Sequence, residues 1–135
     1  MHKQIFVNLA VNDLPRSKAF FESLGMHFDP KFTNDQGAGL IVGDNIYAML
    51  LAKDFFKTFT SKPLSDPSKS TEVLVCLSCE SRAEVDNVVA KALAAGGTAP
   101  RAAKDQGFMY GHGFEDLDGH IWELIHMDPD AKPVH

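Results

Sequence analysis

One carboxylate stands inside an apolar run near the end of the chain, in Ile121-Trp122-Glu123-Leu124-Ile125. A charge in such company is costly unless it is paired, hydrogen-bonded or turned to water. Burial raises a carboxyl's proton affinity, so Glu123 suits a general base or a ligand-binding acid; it suits equally a structural hydrogen bond or an ion pair between two copies of the chain. His112, in Tyr110-Gly111-His112-Gly113-Phe114, is the second candidate. Alternation places Tyr110, His112 and Phe114 on one strand face. If that strand pairs with the Glu123 strand, His112 shares a pocket with Glu123 and either shuttles a proton or joins it around a metal ion. The glycines beside His112 suit close approach by a ligand or backbone, and suit a bulge equally. Asn8 either hydrogen-bonds a ligand or satisfies a neighbouring strand, while Phe6, Tyr110 and Trp122 are the aromatic surfaces a ligand would meet.

Other reactive residue types read as structural. Cys76 and Cys79 form a C-x-x-C string inside the apolar run Val73 to Cys79. Side chains three apart in a strand point to opposite faces, so the pair is expected to be buried packing and not a chelate or disulfide. His120 and Asn45 fall at matching turn positions, and His126 alternates away from Glu123. No glycine-rich phosphate loop, nucleophile elbow or H-E-x-x-H string is present.

The elements that must hold these groups are legible from pattern. Ile5 to Val11 is short, apolar and β-branched, as a buried strand requires. Asp13 as N-cap, Pro15 in the first turn, the apolar Leu14, Phe20, Phe21 and Leu24, and a terminating Gly25 predict a helix. Strand-like stretches at His27 to Phe32, Gly39 to Val42 and Ile46 to Leu51 are separated by turn residues and predict an antiparallel meander. Residues 53–70 read as a short phenylalanine-bearing helix and a linker. The second half repeats the order: a strand at Val73 to Leu77; a helix with Ser81 and Glu84 as capping box and Val85, Val88, Val89, Ala92 and Leu93 on its face; and strands at Phe108 to Phe114 and Ile121 to Met127.

The two helix starts, Asp13 and Ser81, are offset by 81 − 13 = 68 residues, about half of the 135-residue chain. Gly43 to Leu50 also aligns with Asp118 to Ile125 in turn, aromatic and apolar order, so the chain reads as an internal duplication. The expectation is one α+β domain over residues 1–135, two tandem βαβββ modules forming a curved, cup-like mixed sheet with helices outside. Module one covers about 1–52, the linker about 53–70 and module two about 71–128.

Composition bounds the partners. A formal charge of −5 with no basic stripe argues against nucleic acid. No apolar run reaches the ~20 residues of a membrane span and no signal-peptide pattern opens the chain, so a cytoplasmic protein without membrane attachment is expected.

Val-Asn-Asp-Leu-Pro-Arg-Ser-Lys-Ala-Phe-Phe-Glu-Ser-Leu-Gly-Met early and Phe-Glu-Asp-Leu-Asp-Gly-His-Ile-Trp-Glu-Leu late resemble the vicinal oxygen chelate superfamily, which includes glyoxalase I, bleomycin-resistance proteins, fosfomycin-resistance enzymes and extradiol dioxygenases. The resemblance implies a cup whose metal-using members draw His or Gln from each module's first strand and Glu from its last, with the ion acting as Lewis acid. Those positions carry over to Phe6, Leu74, Ala48 and Glu123, of which Glu123 alone offers a metal ligand. It implies either a small-molecule binder without the full metal site or a metal-dependent lyase, isomerase or dioxygenase, lactoylglutathione lyase-like or dioxygenase-like, with a divalent ion at a site rebuilt from Glu123 and His112. It also implies a homodimer whose paired modules complete each cup.

Overall fold

Each half of the chain builds its own four-stranded mixed sheet with a helix on one face, and the computed structural model describes residues 1–130. The two compact units divide between Leu64 and Ser65. Among the described residues no helix is long and apolar enough to cross a membrane.

In the first unit β1 (Ile5–Val11) leads into α1 (Leu14–Ser23), followed by β2 (His27–Asp29), β3 (Gly37–Gly43) and β4 (Ile46–Ala52). The Asp13 carboxylate accepts from the Arg16 N–H at 3.1 Å, and Gly25 at φ 87° ends the helix. β2 is shorter than its sequence pattern predicts: Pro30 fixes φ and lacks an N–H, and residues Pro30–Phe32 wind into a 3₁₀ turn. The sheet order β1-β4-β3-β2 pairs β1 parallel to β4 and keeps the meander antiparallel. α1 supplies Phe20 and Phe21 to a core shared with Leu9, Val11, Leu40, Ala48 and Leu50, all buried. The short α2 (Lys53–Phe56) and a 3₁₀ turn at Lys57–Phe59 close the unit.

The second unit repeats the plan with β5 (Leu74–Ser78), α3 (Arg82–Ala94), β6 (Lys104–Asp105), β7 (Met109–Glu115) and β8 (Ile121–Met127) in the order β5-β8-β7-β6. The Glu84 N–H donates to Ser81 Oγ at 3.0 Å, and the Glu84 carboxylate accepts from the Glu80 N–H, one residue before the N-cap where a capping box would place it. Val85, Val89 and Ala92 of α3 are buried, as are Phe114, Trp122 and Leu124 on the sheet face they cover. β6 has two residues and carries no periodicity that sequence could reveal.

Candidate functional site

The second unit's sheet has an open face, and alternation decides which side chains reach it. Directly opposed residues on paired strands share a face. Cys76 pairs with Glu123, and Glu123 with Gly113; Leu74 pairs with Ile121, and Ile121 with Glu115; Ile125 pairs with Gly111, and Gly111 with Lys104. These side chains therefore lie opposite the buried Trp122, Leu124 and Phe114. All of them but Cys76, with residues 100–104 as a wall, line a hollow of about 480 Å³.

Glu123 lies on the floor of this hollow, half-buried. Its carboxylate folds over the α-carbon of Gly113: a Cβ at residue 113 would stand 2.8 Å from Oε2 and 3.1 Å from Cδ. The space at residue 113 is taken by this movable carboxylate and by the Trp122 carbonyl oxygen at 3.0 Å, and no unusual backbone angle is involved. Among the described residues no hydrogen bond or ion pair engages the carboxylate, so the acid that sequence places in apolar company is satisfied by the open hollow. Across the parallel strand pair Cys76 is exposed, which corrects the expectation of a buried thiol. Partial burial raises the Cys76 pKa, and the negative charge of Glu123 raises it further. Cys79 is half-buried beyond the end of β5; desolvation, followed by the charge of Glu84, pushes its thiol up to about 11.

His112 borders the hollow, but its imidazole leaves from the other face. It pairs with Leu124, which is buried under α3, and its Nε2–H donates to the Arg101 carbonyl at 2.9 Å. A carbonyl can only accept, so that nitrogen keeps its proton. The strand pairing is as expected and both residues border the hollow, but the register sends the His112 imidazole to the sheet face opposite Glu123. Tyr110 follows His112 onto the helix side, where its hydroxyl donates to Asp86 and the Arg82 guanidinium sits 5.1 Å from its ring centre. Trp122 is fully buried against Phe114, its Nε1–H donating to Asp116 Oδ2 at 3.0 Å. Tyr110 and Trp122 thus build the unit and present no surface to a ligand in the hollow.

Phe6 and Asn8 lie on the corresponding open face of the first unit. Phe6 stacks on Tyr47 with ring centres 4.9 Å apart, Phe32 meets both edge-on, and Asn8 is exposed opposite Met49. The turns before the last strands show how the repeats superpose. Asn45 and Gly119 hold the left-handed position, at φ 62° and 99°, which gives an offset of 119 − 45 = 74 and not the 75 of the sequence alignment. A one-residue slip exchanges the faces, so the partner of Glu123 in the first unit is Met49, while Ala48 matches Trp122 and is buried.

These positions do not assemble the metal site that the resemblance implies. Phe6 and Leu74 have no lone pair, Met49 offers only a thioether, and Glu123 has Cys76 as its one neighbouring donor, with the thiol held toward its protonated form. Divalent ions at protein sites draw on three or more such ligands, and no group of three His, Cys, Asp or Glu poised for an ion exists among the described residues. The sequence reading also missed the wall and Lys104, because a two-residue strand and an irregular approach have no pattern to read.

A buried polar cluster supports the floor from behind. Asp116 Oδ1 accepts from the N–H groups of Asp118, Gly119 and His120 at 3.0–3.1 Å, while Oδ2 takes the Trp122 indole. Desolvation raises the Asp116 pKa, opposed by the His120 charge and by these hydrogen bonds. The His120 Nδ1–H donates to Glu72 Oε1 at 2.7 Å, tying the segment before β5 to the turn that sets the β8 register.

A family model, Glyoxalase/Bleomycin resistance protein/Dioxygenase superfamily, matches residues 3–124. Among solved structures, a hypothetical protein from S. aureus is 28% identical over 93% of this chain and 95% of its own, with a TM-score of 0.78. A glyoxalase/bleomycin resistance protein/dioxygenase family enzyme from Burkholderia phytofirmans PsJN is 17% identical over 91% and 97%, with a TM-score of 0.76. The fosfomycin resistance protein FosX from Mesorhizobium loti is 14% identical over 96% and 95%, with a TM-score of 0.69, and shares the fold. A comparison with curated proteins finds no match.

Proposed function

Given that the chain belongs to the glyoxalase/bleomycin resistance protein/dioxygenase superfamily, we propose that it binds a small molecule in the second unit's hollow, with Glu123 as the ligand-holding carboxylate and without the full metal site of the metal-using members. One observation carries this reading: an unpaired carboxylate, seated over Gly113, faces a hollow of about 480 Å³ and is flanked there by Ile121, Ile125 and glycine backbone, with Lys104 and Glu115 in the neighbouring rows. In such surroundings a carboxylate accepts strongly from an ammonium or hydroxyl donor. The other acid on the floor, Glu115, stands one row away beside Ile121, while the His112 imidazole is turned to the opposite sheet face and committed to the Arg101 carbonyl; the hollow therefore offers no histidine for a relay with Glu123.

Glu123→Gln keeps the shape and removes the charge, so it weakens ligand binding far more than it weakens the fold. A variant whose melting temperature collapses while binding persists would reverse that assignment. The rival reading, a metal-dependent lyase, isomerase or dioxygenase, requires near-stoichiometric nickel, zinc, iron or manganese in purified protein, lost on Glu123→Ala.

We also propose a homodimer. β1 and β5 are edge strands without a charge or proline to guard them, and Ile5, Ile46 and Leu74 are 55%, 44% and 59% exposed. Light scattering at micromolar concentration should give twice the 14.8 kDa chain mass.

A further inference from the structure

The hollow is electrically polar along the strand direction, and this narrows the class of ligand it would take. Three rows of side chains cross its floor. Lys104, Gly111 and Ile125 form one; Gly113 and Glu123 the next; Glu115 and Ile121 the third. On the floor a cation therefore stands at one end and two carboxylates follow it, with only glycine and isoleucine between, while Arg101 adds a second cation from the wall. Strands are about 5 Å apart and residues two apart along a strand about 7 Å apart, so the Glu123 carboxylate, leaning over Gly113, is roughly 8 Å from the Lys104 α-carbon. Neither group has a hydrogen-bond or ion-pair partner among the described residues, and they do not pair with each other.

We infer that the hollow takes a zwitterion of amino-acid to dipeptide size, its ammonium against Glu123, its carboxylate against Lys104, and its apolar side group against Ile121, Ile125 and Pro100 of the wall. Opposite charges held apart over a floor bare of side chains accept both poles of one ligand, whereas a ligand with one charge leaves the other end of the hollow unpaired. Gly111 and Gly113 let the body of the ligand lie against backbone. The inference rests on the proposed binding role of Glu123 and adds to it the chemistry of the ligand.

The experiment titrates ¹⁵N-labelled full-length protein with four probes sharing one aryl body: L-phenylalanine, 2-phenylethylamine, 3-phenylpropionate and 3-phenylpropanol. The amides of Gly111 and Gly113 report occupancy. Phenylalanine should bind at least tenfold more tightly than either singly charged probe. Glu123→Gln should bring it down to the 3-phenylpropionate level and Lys104→Gln to the 2-phenylethylamine level, with both variants folded by circular dichroism. If 3-phenylpropionate or the alcohol matches phenylalanine in the unsubstituted protein, the zwitterion inference is overturned while the hollow stands as a binding site. If no probe moves either glycine amide, the inference falls together with the binding role on which it rests.

Discussion

Gly113→Ala tests the seating of Glu123 without any ligand. The added methyl would stand 2.8 Å from Glu123 Oε2, 3.1 Å from its Cδ and 3.0 Å from the Trp122 carbonyl oxygen. The first two contacts relax only if the carboxylate leaves its seat; the third is backbone and yields less. Over-packing of this kind costs about 1–3 kcal/mol, against roughly 0.5–1 kcal/mol regained because alanine in a strand loses less chain entropy than glycine. The expected net loss is about 0.5–2 kcal/mol. Gly111→Ala is a matched control on the same face, since its methyl would meet only the Leu124 carbonyl at 3.4 Å and Ile125 Cγ2 at 3.5 Å; it should be neutral or slightly stabilising. Urea unfolding followed by tryptophan fluorescence reads the second unit alone, because Trp122 is the chain's single tryptophan and is buried there. In a Glu123→Ala background the loss on Gly113→Ala should shrink by about 1 kcal/mol, well above the ~0.3–0.5 kcal/mol within which independent sites add. Equal effects of the two glycine substitutions, or no coupling to residue 123, would refute the assigned seat.

Three further outcomes follow from contacts already described. Cys76 is exposed but its thiol pKa is raised, first by burial and then by Glu123, so iodoacetamide should label it slowly near neutral pH; Glu123→Gln should quicken labelling in peptide mass maps, and an unchanged rate would detach the thiol from the carboxylate. Asp116→Ala removes the carboxylate that accepts from the Trp122 indole and from the Asp118, Gly119 and His120 N–H groups and should cost at least about 2 kcal/mol in urea unfolding. Because burial raises the Asp116 pKa above 3.8, its protonation favours the fold at low pH and that contribution is lost as pH rises through the raised value; the stability of the unsubstituted protein relative to Asp116→Asn should therefore fall as pH rises above 3.8, and a rise would contradict the burial. Arg82 holds Asp105 through two hydrogen bonds and the Gly107 carbonyl through a third, so Arg82→Ala should accelerate amide exchange at residues 104–108 while leaving the urea midpoint nearly unchanged, as befits an exposed ion pair.

Local signals were read well from sequence. β1, α1 and α3 follow from apolar period, caps and glycine stops, and the duplication follows from the Asp13 to Ser81 offset. Register was another matter. Alternation along β7 correctly grouped Tyr110, His112 and Phe114, but whether that group faces the hollow depends on which β8 residue stands opposite, and the Asp116–His120 turn decides this through hydrogen bonds that no periodicity encodes. The same limit misassigned Ala48, since Asn45 and Gly119 perform one backbone role with different residues. Cys76 looked buried because its run is apolar, yet β5 is an edge strand and sheet order is a long-range property. Glu123 was legible because a charge amid isoleucine, tryptophan and leucine conflicts with its surroundings wherever the strand lies.

Gly119 has no room for even a methyl group: a Cβ there would come within 2.7 Å of the Pro67 carbonyl oxygen and 3.0 Å of the Ser68 α-carbon. Residues 67 and 68, which read as loose connector, are thus seated on the second unit, and Glu72 is fastened to the same turn through His120. Anyone dissecting the gene into its halves should cut between the codons for Leu64 and Ser65. A fragment begun at residue 71, where the repeat itself starts, would discard this backing strip and leave a glycine-shaped notch open to water beside the most intricately bonded turn of the unit.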